Sequence, residues 1–374
     1  MNGIYIHIPF CRSKCHYCDF YSVTRKEDIA GFSTLLSREM SLRLNYLPDR
    51  NIDTVYFGGG TPTLLPVREL SDILKSVNGC FSVASGAEIT LEANPDDLNP
   101  DVLHQYKKLG FNRISIGIQS FNDQHLTLMN RRHDARQAEL AVQMAAEAGF
   151  DRISIDLIYG IPGMSMDQWE DAIRKATKLP ANHLSAYHLT FEPGTRFSDW
   201  KNAGTLIGIP EDDSFRQYLL LIRLLDEAGY QQYEISNFAR NGEISRHNSK
   251  YWSGEGYLGM GPSAHSFNGG ERHWNPRSIS GWKDMVENEK KPEGELLDDN
   301  MRVNEYLMTR LRTSDGIDLD EYAQRFGEDE RMRLQESSGN AIRRGDLLVR
   351  DGKLVFDRSA WFRSDGMLSD LFRV

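Results

Sequence analysis

Along the first two-thirds of the chain, short β-rich runs alternate with stretches in which apolar residues recur every three or four positions. The runs at 4–8, 54–57, 88–92, 113–118, 152–158 and 183–189 predict six strands, and the segments 67–77, 100–109, 135–148 and 167–177 predict helices between them. Strands separated by helices form βαβ units. Their right-handed crossovers leave a doubly wound sheet or a full or partial barrel as the economical folds, and periodicity does not choose between these. In such folds the C-terminal edge of the strands collects side chains and loop amides from several elements. Here Gly58-Gly59-Gly60-Thr61-Pro62 follows the second strand, Glu92-Ala93-Asn94-Pro95 ends the third, Gln119-Ser120-Phe121 follows the fourth, and Asp156 lies in the fifth. The pattern predicts one site at that edge.

From about 242 to 295 the alternation fails, and Gly, Asn, Ser and aromatic residues dominate, which predicts long loops. Beyond them, 300–311, 319–326 and 330–344 read as helices, followed by a hairpin over 347–356 with Asp351-Gly352 as its turn. Three helices and a hairpin suggest a winged-helix-like module. Residues 291–374 carry 14 Lys or Arg against 18 Asp or Glu, which disfavours a DNA-contacting wing and favours a covering or docking role. The expected organisation is a core domain over 1–235, a loop-rich connecting segment over 236–295 and a smaller C-terminal α+β domain over 296–374.

Composition narrows the class. The chain has 374 residues with 40% hydrophobic and 26% charged positions, ordinary for a globular protein with room for a large core. Its net charge of −10, from 44 basic and 54 acidic residues, excludes a broad electrostatic hold on nucleic acid. No run approaches the ~20 apolar residues that a membrane-crossing helix needs, and the N-terminus opens on a strand pattern, so a cytoplasmic protein is expected.

Of the four cysteines, Cys11, Cys15 and Cys18 lie within eight residues, and Cys80 stands alone. Such clustering points to metal. Three thiolates on one short loop can hold three corners of an iron–sulfur cubane, leaving the fourth iron open to an amine and a carboxylate. The alternative is a zinc knot completed by Cys80 or His16, since zinc favours four tetrahedral ligands.

The C-x-x-x-C-x-x-C spacing, with Tyr17 before the last Cys, resembles the radical S-adenosylmethionine family, and the lead-in Tyr5-Ile6-His7-Ile8-Pro9-Phe10-Cys11 resembles its oxygen-independent coproporphyrinogen oxidase branch. Gly58 to Pro62, Glu92, Ile116-Gly117-Ile118-Gln119-Ser120-Phe121, Arg131 and Ile155-Asp156-Leu157-Ile158-Tyr159-Gly160-Ile161-Pro162 are similar to that branch in order and spacing, over about residues 3–195. The resemblance implies an α/β fold, a partial (β/α)6 TIM-like barrel, with a 4Fe-4S cluster on Cys11, Cys15 and Cys18. It also implies S-adenosylmethionine beside the cluster. That ligand carries an ammonium, a carboxylate, a sulfonium, ribose hydroxyls and an adenine. Gly59, Gly60 and Thr61 suit a close backbone approach to its methionine end, and Arg131 its carboxylate. Glu92, Gln119 and Asp156 suit its ammonium and ribose, and Tyr5 and Tyr17 the cluster or adenine face. In the family, the reduced cluster passes an electron to the sulfonium and the bond to the adenosyl carbon breaks.

Two departures separate the chain from the oxidase. The oxidase has a further Cys two residues past the third cluster ligand, where this chain has Phe20. Arg246-His247-Asn248-Ser249-Lys250-Tyr251-Trp252 instead resembles the H-N-x-x-Y-W motif of the heme chaperone branch. In that branch a neutral His247 could ligate heme iron while Tyr251 and Trp252 pack on the porphyrin; the plain alternative is a buried, hydrogen-bonded His beside core aromatics. His265 and His273 are weaker candidates. The resemblance implies heme as cargo, respiratory apo-proteins as acceptors, a flavodoxin-like electron donor, a homodimer and transient membrane contact, and no nucleic-acid partner. The competing functions are a coproporphyrinogen III oxidase of porphyrin biosynthesis and a zinc-stabilised interaction protein.

Overall fold

In the computed structural model, which describes residues 1–25 and 27–373, six parallel strands stand side by side in chain order. They are β1 (Asn2–Ile8), β2 (Asn51–Gly59), β3 (Ser82–Ala93), β4 (Arg113–Gln119), β5 (Arg152–Tyr159) and β6 (His183–His188). All six coincide with predicted strands, and the helices between them include Val67–Cys80, Pro100–Leu109, Ala135–Glu147 and Met166–Lys178. The last two begin on capping boxes, Asp134 with Gln137 and Ser165 with Gln168, in which side chains satisfy the otherwise unpaired N–H groups of the first turn.

Alternate positions of each strand have opposite fates. One set, including Ile6, Phe57, Leu91, Ile116, Ile155 and Leu184, packs outward with helix residues such as Leu70, Ile73, Ala141 and Ile173 in one apolar core. The other set faces the barrel interior and is polar: Thr90, Ser115, Ser154, Asp156, His183 and Ser185 line a closed chamber of about 50 Å³. The barrel is therefore apolar outside and polar inside.

The sheet is wider than six strands, and this corrects the prediction of long loops. On the β6 side, β7 (Gln231–Gln232) and β8 (Asn237–Ala239) add antiparallel strands. On the β1 side, β9 (Tyr257–Met260) pairs in parallel, and β10 (His265–Phe267), β11 (Glu271–Trp274) and β12 (Glu293–Leu296) continue antiparallel. The segment 236–295 is thus part of the barrel sheet, with helices Arg246–Ser253 and Ile279–Glu287 between its strands. Strands of three or four residues carry too little periodicity to be seen. Gly259 reads as a loop residue, yet it sits in a strand paired with β1, at a position that needs glycine because a Cβ there would meet His265 O at 2.0 Å.

The C-terminal unit has the expected helices, Asp299–Arg310, Leu319–Phe326 and Glu328–Arg344. A third strand, β13 (Ile317–Asp318), joins the hairpin of β14 (Leu347–Arg350) and β15 (Lys353–Phe356), whose turn residues Asp351 and Gly352 both have positive φ. It is tied to the barrel's last long helix, Glu211–Glu227, where Tyr218 OH donates to Arg358 O at 2.9 Å and Arg358 pairs with Asp226 at 2.7 Å. No helix among the described residues is long and apolar enough to cross a membrane.

Candidate cluster and cofactor site

At the C-terminal edge of β1–β6 lies a cavity of about 410 Å³. The loop after β1 forms one wall. Its base is closed by Val23 N–H to Pro9 O (2.7 Å) and Cys11 N–H to Val23 O (2.9 Å), and its far side by His16 N–H to Met129 O (3.1 Å). Cys11, Cys15 and Cys18 all face this cavity. Burial pushes the Cys11 thiol up and, with the neighbouring Cys15, pushes Cys18 up to about 12, so these two thiols are held where a nearby cation is needed to make thiolates favourable. Among the described residues no three His, Cys, Asp or Glu side chains are arranged around one ion. A cubane asks something different of its ligands, one thiolate on each of three irons, and the three-Cys loop fits that demand. The zinc knot does not fit. His16 Nδ1 is bonded to Leu128 O at 2.9 Å with its ring edge-on to Trp200, and Cys80 ends the helix Val67–Cys80 at the opposite edge of the sheet.

Tyr17, Gly59, Gly60, Thr61, Glu92, Gln119, Arg131 and Asp156 line the same cavity. Arg131 ties the wall together: its Nη1 lies 3.4 Å from Cys15 Sγ, and its Nη2 donates to Asn94 Oδ1 at 2.6 Å and to Gly117 O. Its Nε is buried and has no hydrogen-bond partner. Glu92 accepts from Tyr56 OH (2.7 Å) and Gly59 N–H (3.2 Å), yet burial still raises its carboxyl to about 7. Asp156 is raised to about 6 by burial, against hydrogen bonds from Ser185 and Ser115. Two buried carboxyls and the Arg131 guanidinium around one cavity suit a zwitterionic ligand bearing an ammonium and a carboxylate. Gln119 holds φ of 62° at a break in the β4–β5 register, a strained conformation of the kind found at binding sites.

Two expectations need correction. Gly59 and Gly60 line the cavity, but the space their Cβ atoms would take is filled by protein: the His7 ring at 2.6 Å from the first and Phe10 O at 2.8 Å from the second. Tyr5 is not on the cavity wall. It lies inside the barrel, its OH 3.0 Å from His7 Nδ1 and its ring stacked on Tyr56. Sequence reading also missed Ser115, Tyr187 and His188 as wall residues. The period-two alternation of the strands would have found Ser115 and Tyr187, which share the face of Asp156.

The heme motif is elsewhere. His247 is 1% exposed and closes the barrel from below; its Nδ1 meets Thr54 Oγ1 at 2.8 Å and its Nε2 meets Tyr251 OH at 3.0 Å. Both ring nitrogens are engaged, so neither is open to an iron. Burial, and then Lys250, pull its pKa down to about 3 and keep it neutral. Trp252 is half-buried on the same helix, and neither it nor Tyr251 lines the cavity.

A partial α/β barrel with a three-cysteine loop over a polar cavity at its C-terminal strand edge defines the radical S-adenosylmethionine architecture. The Radical SAM superfamily profile matches residues 5–176, and the HemN C-terminal domain profile matches 297–363. The chain is 34% identical to the heme chaperone HemW of Bacillus subtilis (87% of each chain), 36% to that of Synechocystis (84% of this chain, 78% of the relative) and 37% to that of Escherichia coli (70% and 69%). In fold it matches the E. coli coproporphyrinogen III oxidase structure with a TM-score of 0.85 at 22% identity, covering 99% of this chain and 89% of the other. The chain belongs to the heme chaperone branch of the coproporphyrinogen oxidase-like family of radical S-adenosylmethionine proteins.

Proposed function

We propose that this protein is a heme chaperone that carries a 4Fe-4S cluster on Cys11, Cys15 and Cys18, binds S-adenosylmethionine in the adjoining cavity and delivers heme to respiratory apo-proteins. The observation that carries the reading is the meeting, in one cavity, of three thiols with the Arg131 guanidinium and two buried carboxyls, in a chain whose relatives are named heme chaperones. When bound, the cluster supplies an electron at the sulfonium, drawn from a flavodoxin-like donor. The chain's own residues orient the ligand: Arg131 meets the carboxylate, and Glu92 and Asp156 meet the ammonium and the ribose.

Heme, as cargo, has a different place from the one the motif suggests. Phe20 is 63% exposed and Tyr187 44% exposed on the cavity rim, offering flat apolar surface. His188 stands with them, packed between Tyr159 and Phe362. It is the one histidine on the wall among the described residues, and while its Nε2 bonds Ser214 Oγ at 3.0 Å, its Nδ1 makes no internal hydrogen bond. We assign the axial ligand to His188. Heme titration of anaerobically reconstituted protein tests this: His188→Ala alters the heme spectrum and weakens binding, and His247→Ala leaves the spectrum unchanged. The opposite result returns the ligand role to His247, and robust decarboxylation of coproporphyrinogen by the wild type overturns the chaperone reading.

A further inference from the structure

We infer that His247 is a positioning residue for the cofactor site, acting on Glu92 through the ring of Tyr56. The helix Arg246–Ser253 is anchored on every side beneath the barrel. Arg246 and Lys250 both pair with Asp53 (3.0 and 2.8 Å), Lys250 also bonds Met1 O at 2.8 Å, and the His247 N–H donates to Glu88, itself bonded to Arg113 at 2.9 Å. On this fixed base the His247 ring has no rotational freedom, since Thr54 and Tyr251 hold its two nitrogens. Its upper face stacks on Tyr56, with centroids 5.1 Å apart and planes within 24°. The Tyr56 hydroxyl then reaches the cavity floor and donates to Glu92 Oε1 at 2.7 Å. There is no slack in this contact, because a Cβ on Gly58 would meet both Tyr56 Cε1 (2.7 Å) and Glu92 Oε1 (2.8 Å). The motif at the bottom of the barrel is thus one aromatic ring away from a carboxylate at the top.

The consequence is chemical as well as steric. The bond from Tyr56 favours the ionised form of Glu92, which burial otherwise disfavours. The other groups facing Glu92 are the Gly59 N–H, Asp156, and the hydroxyls of Tyr5, Tyr187 and Tyr251. Of these only the Gly59 N–H donates to it directly, so a tilted Tyr56 leaves Glu92 with one donor and a stronger hold on its proton.

The inference rests on the reading of the cavity as an S-adenosylmethionine site, and the experiment separates the two. S-adenosylmethionine is titrated into anaerobically reconstituted protein across pH, with iron content measured in parallel. His247→Ala and Tyr56→Phe each weaken binding about ten-fold near neutrality. The loss shrinks toward alkaline pH, and the double variant is no weaker than the worse single one, as expected when both act through one contact. His247→Gln, whose flat amide can keep the contact to Tyr251 and a face for the Tyr56 ring, loses less than His247→Ala, and iron remains at about four per chain throughout. Unchanged affinity and pH profile in His247→Ala, or additive losses in the double variant, overturn the inference. Should His247→Ala not fold, wild-type affinity in Tyr56→Phe overturns it alone. A wild type that binds no S-adenosylmethionine overturns the cofactor reading instead.

Discussion

At the scale of single residues, environment decides what each side chain does. His247 and His188 are chemically identical imidazoles, one sealed by two internal hydrogen bonds and the other open on a cavity wall. Arg131 and Asp156 stand on the cavity with opposite charge, and replacing either by Ala is expected to weaken S-adenosylmethionine binding by roughly 1.5–3 kcal/mol, the worth of hydrogen bonds to charged groups. Calorimetric titration checks this, and unchanged affinity in both variants removes them from the site. The two differ in one respect. Arg131 Nη1 lies against Cys15 Sγ, so Arg131→Ala also alters the cluster's absorption spectrum, whereas Asp156→Ala leaves it as in wild type. Residue type and motif order made both legible in the sequence, but the contact with Cys15 spans 116 positions and was not.

At the scale of elements, the helix Arg246–Ser253 shows how much one cap can carry. Ser245 is 2% exposed; its side chain accepts from Asn248 N–H at 3.3 Å, and its own N–H donates to Tyr233 OH. Ser245→Ala is expected to cost about 1 kcal/mol, the usual value of an N-cap, read as a lower Tm with the fold retained. An unchanged Tm shows that water replaces the cap. The long parallel strands and four of the helices between them were visible in the sequence because each repeats its pattern over several periods; the helix Phe32–Leu42, between β1 and β2, was not read. The edge strands β9 to β12 were not. Three or four residues do not complete a pattern, and what makes them strands is their pairing with β1 and with one another.

At the scale of the whole molecule, the polar barrel interior makes stability depend on pH. Burial lifts Glu92 and Glu234 to about 7 and Asp156 to about 6. Between their ordinary values, 4.5 and 3.8, and these, the folded protein keeps protons that the unfolded chain has released, so stability falls as pH rises through that window. His7 and His247 act in the opposite sense. Burial pulls them to about 4 and about 3, so below 6.5 the unfolded chain binds protons that the fold does not, and stability falls as pH drops. The two slopes oppose each other between about pH 4.5 and 7, and His133 and His183, also lowered by burial, add to the histidine side. Substitution isolates the carboxyl part: the double variant Glu92→Gln with Glu234→Gln is expected to gain Tm relative to the wild type as pH rises from about 5 to 8. A Tm difference between variant and wild type that stays constant over that interval contradicts the account.

By itself, the sequence determined the six strands, four of the helices that follow them, the three-cysteine loop, and the gathering of polar strand-end residues at one edge. These follow from local signals: strand and helix periods, glycine turns, and the spacing of thiols on one short loop. The tertiary structure alone decided the twelve-stranded width of the sheet, the place of Tyr5 inside the barrel, and the burial of His247. The reason is the range of the contacts. His247 gets one of its two ring partners from Thr54, 193 positions away, and its backbone partner from Glu88, 159 away. Whether an imidazole is a ligand or a post depends on such neighbours, and no local pattern records them.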